Sequence, residues 1–192
     1  VGSMFRNIAV LTVLLTMLIL VATSCDDTPQ QNRSVISVTS INENVSPLLS
    51  DVIFNDGTGI SYVPDYAEVI MENRPYSEMI ITAPGHPYGE FQVTSYKVEW
   101  TRTDGGSPAL PEYTSDMNMV IPSGKINASS VLIVTVNNKT NPPLDALAGT
   151  ANTITMNAKI TFYGHEVGVD RETEIIANLG VLFGDVVNDD GP

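Results

Sequence analysis

The run Thr153-Ile-Thr-Met-Asn-Ala-Lys-Ile-Thr-Phe162 constrains the fold more than any other stretch of this chain. Ile154, Met156, Ala158, Ile160 and Phe162 fall on one side of an extended backbone, and Thr153, Thr155, Asn157, Lys159 and Thr161 on the other. Side chains leave a strand on alternate faces, so this unbroken alternation specifies a β-strand with one dry face and one wet face. The link Gly164-His165-Glu166-Val167-Gly168 follows, and its two glycines, free to take positive φ, predict a hairpin. The returning strand is expected from about Val169 through Ile175, Ala177 and Val181, with Asp170, Glu172 and Glu174 facing water.

Phe91–Thr103 repeats the pattern, with Tyr96, Val98 and Trp100 opposite Ser95, Lys97, Glu99 and Thr101. It stops at Asp104-Gly-Gly-Ser-Pro108, a cluster of turn formers. Shorter strands are expected at Ser34–Ile41, Tyr66–Glu72, Glu78–Thr82, Met117–Ile121 and Ser130–Val136, and a tight turn at Asn55–Gly59. No stretch sustains apolar residues at helical spacing, apart from one short helical turn expected within Pro142–Gly149. About seven strands without intervening helices predict an all-β chain, an antiparallel β-sandwich whose two sheets bury their apolar faces together. Trp100 on a central strand resembles the core tryptophan of immunoglobulin-like domains, so the sandwich is expected to be Ig-like or fibronectin III-like. The cysteine pair of antibody domains is absent, so the resemblance concerns architecture only.

Arg6 precedes an uncharged run from Ile8 to Ala22, broken only by Thr12 and Thr16. A basic start, an apolar run shorter than the about 20 residues of a membrane span, and small residues after it make a secretory signal. Ala22-Thr23-Ser24-Cys25 resembles the lipobox of bacterial lipoproteins, although Ala22 stands where leucine is commonest. That resemblance implies diacylglycerol on the Cys25 thiol and cleavage before it. The rival reading is an ordinary signal-peptidase site at Ala22-Thr23-Ser24, which leaves Cys25 a free thiol. The cysteine count favours the lipobox, because Cys25 is the only cysteine and a disulfide framework needs an even set. The expected organisation is a signal peptide at 1–24, to which residues 1–3 add nothing, a lipidated cysteine and flexible tether at 25–33, and one β-sandwich domain at 34–192. The order of motifs is similar to that of bacterial envelope lipoproteins with a single such domain, a resemblance that lends no function.

The chain carries a net charge of −13, and removing residues 1–24 takes away Arg6 and no acid, leaving −14. Such a surface repels nucleic acid, whose recognition needs a basic face, and keeps an exported domain soluble. His86 and His165, the two histidines, are both expected at loop tips and lack the related spacing of a zinc site. No G-x-S-x-G elbow is present, and Ser107 lies in a turn. Glu172 and Glu174 share a wet strand face, as ordinary patterning would have it. The sequons at Asn32, Asn44, Asn127 and Asn138 matter only in a eukaryotic source, which a lipobox opposes.

No catalytic residue, metal or cofactor is therefore expected. The leading expectation is a lipid-anchored, non-enzymatic interaction or structural module of the bacterial cell envelope, with a membrane-proximal protein partner. Which face of the envelope it occupies is left open. The alternative is a carbohydrate-binding module, for which Tyr62, Tyr66, Tyr76, Tyr88 and Tyr113 offer aromatics, and Tyr76, His86 and Tyr88 form the candidate glycan-contact loop. An envelope hydrolase ranks last, as no nucleophile motif supports it.

Overall fold

The computed structural model describes residues 34–55, 59–76, 89–169 and 171–185. The signal segment, Cys25 and its tether, His86, Tyr88, Asp170 and the expected strand Glu78–Thr82 lie outside the described residues.

The described chain is all-β and mostly antiparallel, with ten strands. They are β1 (Ser34–Ile41), β2 (Leu48–Asp51), β3 (Phe54–Asn55), β4 (Ile60–Ser61), β5 (Asp65–Pro75), β6 (Phe91–Arg102), β7 (Tyr113–Ile121), β8 (Ile126–Val134), β9 (Thr153–Glu166) and β10 (Glu172–Gly184). A three-stranded sheet runs β1-β5-β8, and a five-stranded sheet, curled as a half-barrel, runs β2-β10-β9-β6-β7. β3 and β4 pair antiparallel, and residues 56–58 of the expected tight turn lie outside the described residues.

Seven strands were too few for two reasons. The expected strand Ser34–Ile41 is β1, and after it the backbone turns through Asn42, Glu43 and Asn44, all at positive φ, into an unexpected strand, β2, beside β10. β2 runs parallel to β10, the one parallel pairing among the described strands. The two-residue strands β3 and β4 are too short for alternation to mark them.

The hairpin after β9 is displaced from its expected place. β9 continues through Gly164, His165 and Glu166, and the reversal falls after it, with Gly168 at φ +84°. His165 therefore sits inside a strand, half-buried, opposite Gln92 of β6 and Glu172 of β10, not at a loop tip. Gly164 serves close approach: a Cβ there would lie 2.4 Å from the Gln92 carbonyl oxygen and 2.6 Å from Cε1 of Phe91. Glycine inside a strand commonly marks such an approach.

The dry faces of both sheets share one core. Ala67, Val69 and Met71 of β5 and Val131 and Ile133 of β8 come from one sheet; Val98 of β6, Ile160 and Phe162 of β9 and Leu179 and Phe183 of β10 come from the other. Trp100 is buried there, its ring centroid 5.7 Å from that of Phe183. Burying side chains of this size stabilises by about 1.5–3 kcal/mol each. Between β8 and β9 lie a four-residue helix, α1 (Val136–Lys139), and a 3-10 turn at Asp145–Leu147, where one helical turn is expected. Among the described residues, no helix is long and apolar enough to cross a membrane.

Candidate functional site

The polar face of the five-stranded sheet carries a chain of ion pairs. Cross-strand register sets Glu99 of β6 directly opposite Lys159 of β9, and their charged atoms lie 3.0 Å apart. Lys97, two residues earlier on the same face of β6, reaches Glu112 at 2.7 Å and Glu99 at 3.3 Å. Beside them lies a depression of about 430 Å³ lined by Glu99, Trp100, Thr101, Leu110, Glu112 and Lys159. It forms where β7 leaves β6: their pairing ends at Val98 and Tyr113, so β6 beyond Val98 is flanked by irregular chain.

Electrostatics decide what this face can do. Hydrogen bonds from Lys159 and then Lys97 hold the Glu99 carboxyl below its ordinary range, and bonds to Glu112 and Glu99 push the Lys97 ammonium up. Glu99 and Lys97 are thus held in their charged forms near neutrality. A general acid needs a raised carboxyl and a nucleophilic lysine a lowered ammonium, and both shifts run the other way. The face offers acceptors and donors for polar contacts. The pairs themselves are exposed, and such pairs contribute little to stability.

A second cluster lies inside. Lys139, 1% exposed, donates from Nζ to Asp65 Oδ1 at 2.9 Å and to the Asp51 carbonyl oxygen at 2.6 Å. Ser50 Oγ donates to the other Asp65 oxygen at 2.5 Å. A capping box orients α1, since Thr135 Oγ1 accepts from the Asn138 N–H while Asn138 Oδ1 accepts from the Thr135 N–H. Thus β2, the start of β5 and α1 are tied at one end of the molecule. Sequence reasoning missed this cluster, because Lys139 in Asn137-Asn-Lys-Thr140 reads as a wet loop and no periodicity marks it. Asn138 of the sequon is itself buried.

Of the candidate glycan-contact residues, only Tyr76 is described; it is 70% exposed just after β5. Tyr62 and Tyr66 are exposed too, Tyr66 within β5. Tyr113 is half-buried in β7 and is no exposed platform: its hydroxyl donates to the carbonyl oxygens of Leu132 and Ile133, and burial pushes its pKa up. Glu172 and Glu174 lie on the wet face of β10 as expected. Among the described residues, no group of three or more His, Cys, Asp or Glu is placed to hold a metal ion.

No protein-family model matches the chain, and no curated protein matches it.

Proposed function

We propose that this chain is a bacterial envelope lipoprotein: Cys25 carries the lipid, residues 26–33 are the tether, and the remainder is an Ig-like sandwich serving as a non-enzymatic interaction or structural module. The observation that carries the reading is the lone cysteine, placed directly after an apolar signal-like run and nine residues before β1 begins at Ser34. Support for an Ig-like arrangement comes from the first two strands lying in different sheets, β2 running parallel to the last strand, and from Trp100 on a strand in the middle of the chain packed against Phe183. Eight tether residues reach at most roughly 26–29 Å when extended, so the domain rides close to its membrane and its partner is membrane-proximal. With an acidic surface, the lipid and not the protein holds it there.

Expressed with its leader in a bacterium, the chain should enter the detergent phase and incorporate labelled fatty acid, and Cys25→Ala should abolish the label. A label that persists in Cys25→Ala, or a wild type found outside the membrane, sinks the reading.

Carbohydrate binding is the second reading, favoured by the exposed rings of Tyr62, Tyr66 and Tyr76. A glycan array distinguishes the two: saturable binding lost in Tyr76→Ala supports it, and a silent array removes it.

A further inference from the structure

Every open sheet meets the problem of its edges, whose unpaired N–H and C=O groups invite another strand. Among the described strands, three of the four edges of the two main sheets carry a guard along part of their length. At β8 the Tyr96 hydroxyl accepts from the Leu132 N–H at 3.1 Å and donates to its carbonyl, while Tyr113 takes the Leu132 and Ile133 carbonyls. β2 is four residues long and ends at Asp51, whose carbonyl accepts from Lys139. β7 carries the exposed Asp116 at a register shift. β1 differs: Ser-Val-Ile-Ser-Val-Thr-Ser-Ile is eight residues long, rich in β-branched side chains, without a charge or a proline, and paired on one side only among the described strands.

We propose that the open edge of β1 pairs antiparallel with β1 of a second copy of this chain, about a two-fold axis at Ser37. Charge argues for a copy. Two molecules at −13 repel over most of their surfaces, and β1 is a neutral strip along which they can meet. Side-chain matching argues for the register. Opposed residues in an antiparallel pair share a face. An axis at Ser37 sets Ile36 opposite Val38 on the core side, where both already pack against the core, and Val35 opposite Thr39 on the outer side, where both are exposed. A one-residue slip would set Ile36 opposite Thr39 and oppose apolar to polar along the strand. The shift in register between Val38 and Ser40 ends the regular stretch, so the paired run covers Val35–Thr39. The contact is isologous and closes on itself, joining two three-stranded sheets into one. It does not require the lipid, although anchoring in one leaflet would concentrate the copies.

Because Cys25 is the only cysteine, single-cysteine probes test the pairing cleanly. Full-length Ser37→Cys, extracted in mild detergent and gently oxidised, should become a disulfide dimer. Leu132→Cys on β8 should do so about ten-fold less, since the Tyr96 and Tyr113 hydroxyls occupy the edge there. Adding Thr39→Lys should lower the Ser37→Cys dimer by about ten-fold, because a lysine guards an edge, with circular dichroism unchanged. Equal crosslinking at both positions, indifference to Thr39→Lys, or disulfides only to other proteins would each overturn the proposal. If the wild type itself forms a disulfide dimer, Cys25 is unmodified and the anchor reading fails. The same comparison in a Cys25→Ser background then still decides the pairing.

Discussion

Gly164 occupies the middle of three paired strands, opposite Val93 of β6 and Thr173 of β10. Glycine usually weakens a strand through its chain entropy, so its presence here needs a cause. The cause is the Phe91 ring and the Gln92 carbonyl, which stand where a Cβ would be. Gly164→Ala must push β6 away or turn Phe91 out of the core, and overpacking of that kind costs about 1–3 kcal/mol. Gly168 offers the comparison: nothing lies within 4 Å of its would-be Cβ, but φ is +84°. Gly168→Ala should cost only the left-handed backbone penalty of about 1 kcal/mol. Urea midpoints for the two variants check this, and a larger loss at Gly168 would contradict the packing account. The two glycines look alike in sequence, at the two ends of the Gly164–Gly168 link where a hairpin is expected. Only the distance to β6, a non-local quantity, separates the one that packs from the one that turns.

At the scale of elements, α1 is too short to be stable by itself, and its place is fixed by Lys139 reaching Asp65 and the Asp51 carbonyl. Removing one member of a buried ion pair leaves its partner uncompensated. Lys139→Met should therefore cost about 3 kcal/mol, the low end of the usual range because Asp65 keeps some access to water. Asp65→Leu together with Lys139→Met should restore part of that loss, giving a coupling energy of at least about 1 kcal/mol in a double-mutant cycle. A double variant as unstable as the sum of the singles would show that the pair holds nothing together. This cluster marks the boundary of what was legible in the sequence. Alternation found β6, β9 and β10 because each has one dry and one wet face over many residues. It found the glutamates of β10 on the wet side for the same reason. β3 and β4 gave no periodicity to read, and the step from β1 to β2 in the other sheet depends on three positive-φ residues, two of them asparagines that tolerate that region. The ion-pair chain on the outer face was half visible, since Lys97 and Glu99 share a face in sequence. Lys159 and Glu112 join them only through strand order.

For the whole molecule, acidity acts in two opposed ways, and their pH ranges separate them. Protonating surplus carboxylates relieves the repulsion of a chain at −13, chiefly as pH falls from 7 towards about 4–5, where unpaired carboxylates titrate. Glu72, Glu99 and Asp104 behave otherwise. Hydrogen bonds from Arg74 hold Glu72 below its ordinary value, those from Lys159 and Lys97 do so for Glu99, and those from Arg102 and the Gly106 N–H do so for Asp104. Asp104 is the most depressed: Arg102 grips it through two bonds of 2.8 and 2.6 Å. A carboxyl lowered on folding makes the folded state bind fewer protons than the unfolded one. Its contribution is complete above the unfolded value and is lost as pH falls through the folded value. The urea midpoint should therefore hold or rise slightly from pH 7 to 5 and drop below pH 4. Arg102→Gln should flatten that drop by removing the larger of the two holds on Asp104 and leaving only the Gly106 N–H, while lowering the midpoint at pH 7 only slightly because the pair is near the surface. Tyr113 sets the other limit, since burial raises its pKa and its contribution is lost as pH rises beyond the ordinary tyrosine value of about 10. A midpoint that falls steadily from pH 7 to 5 would mean that the paired carboxylates titrate at ordinary values. An Arg102→Gln profile parallel to the wild type would mean that Asp104 is not held by that guanidinium.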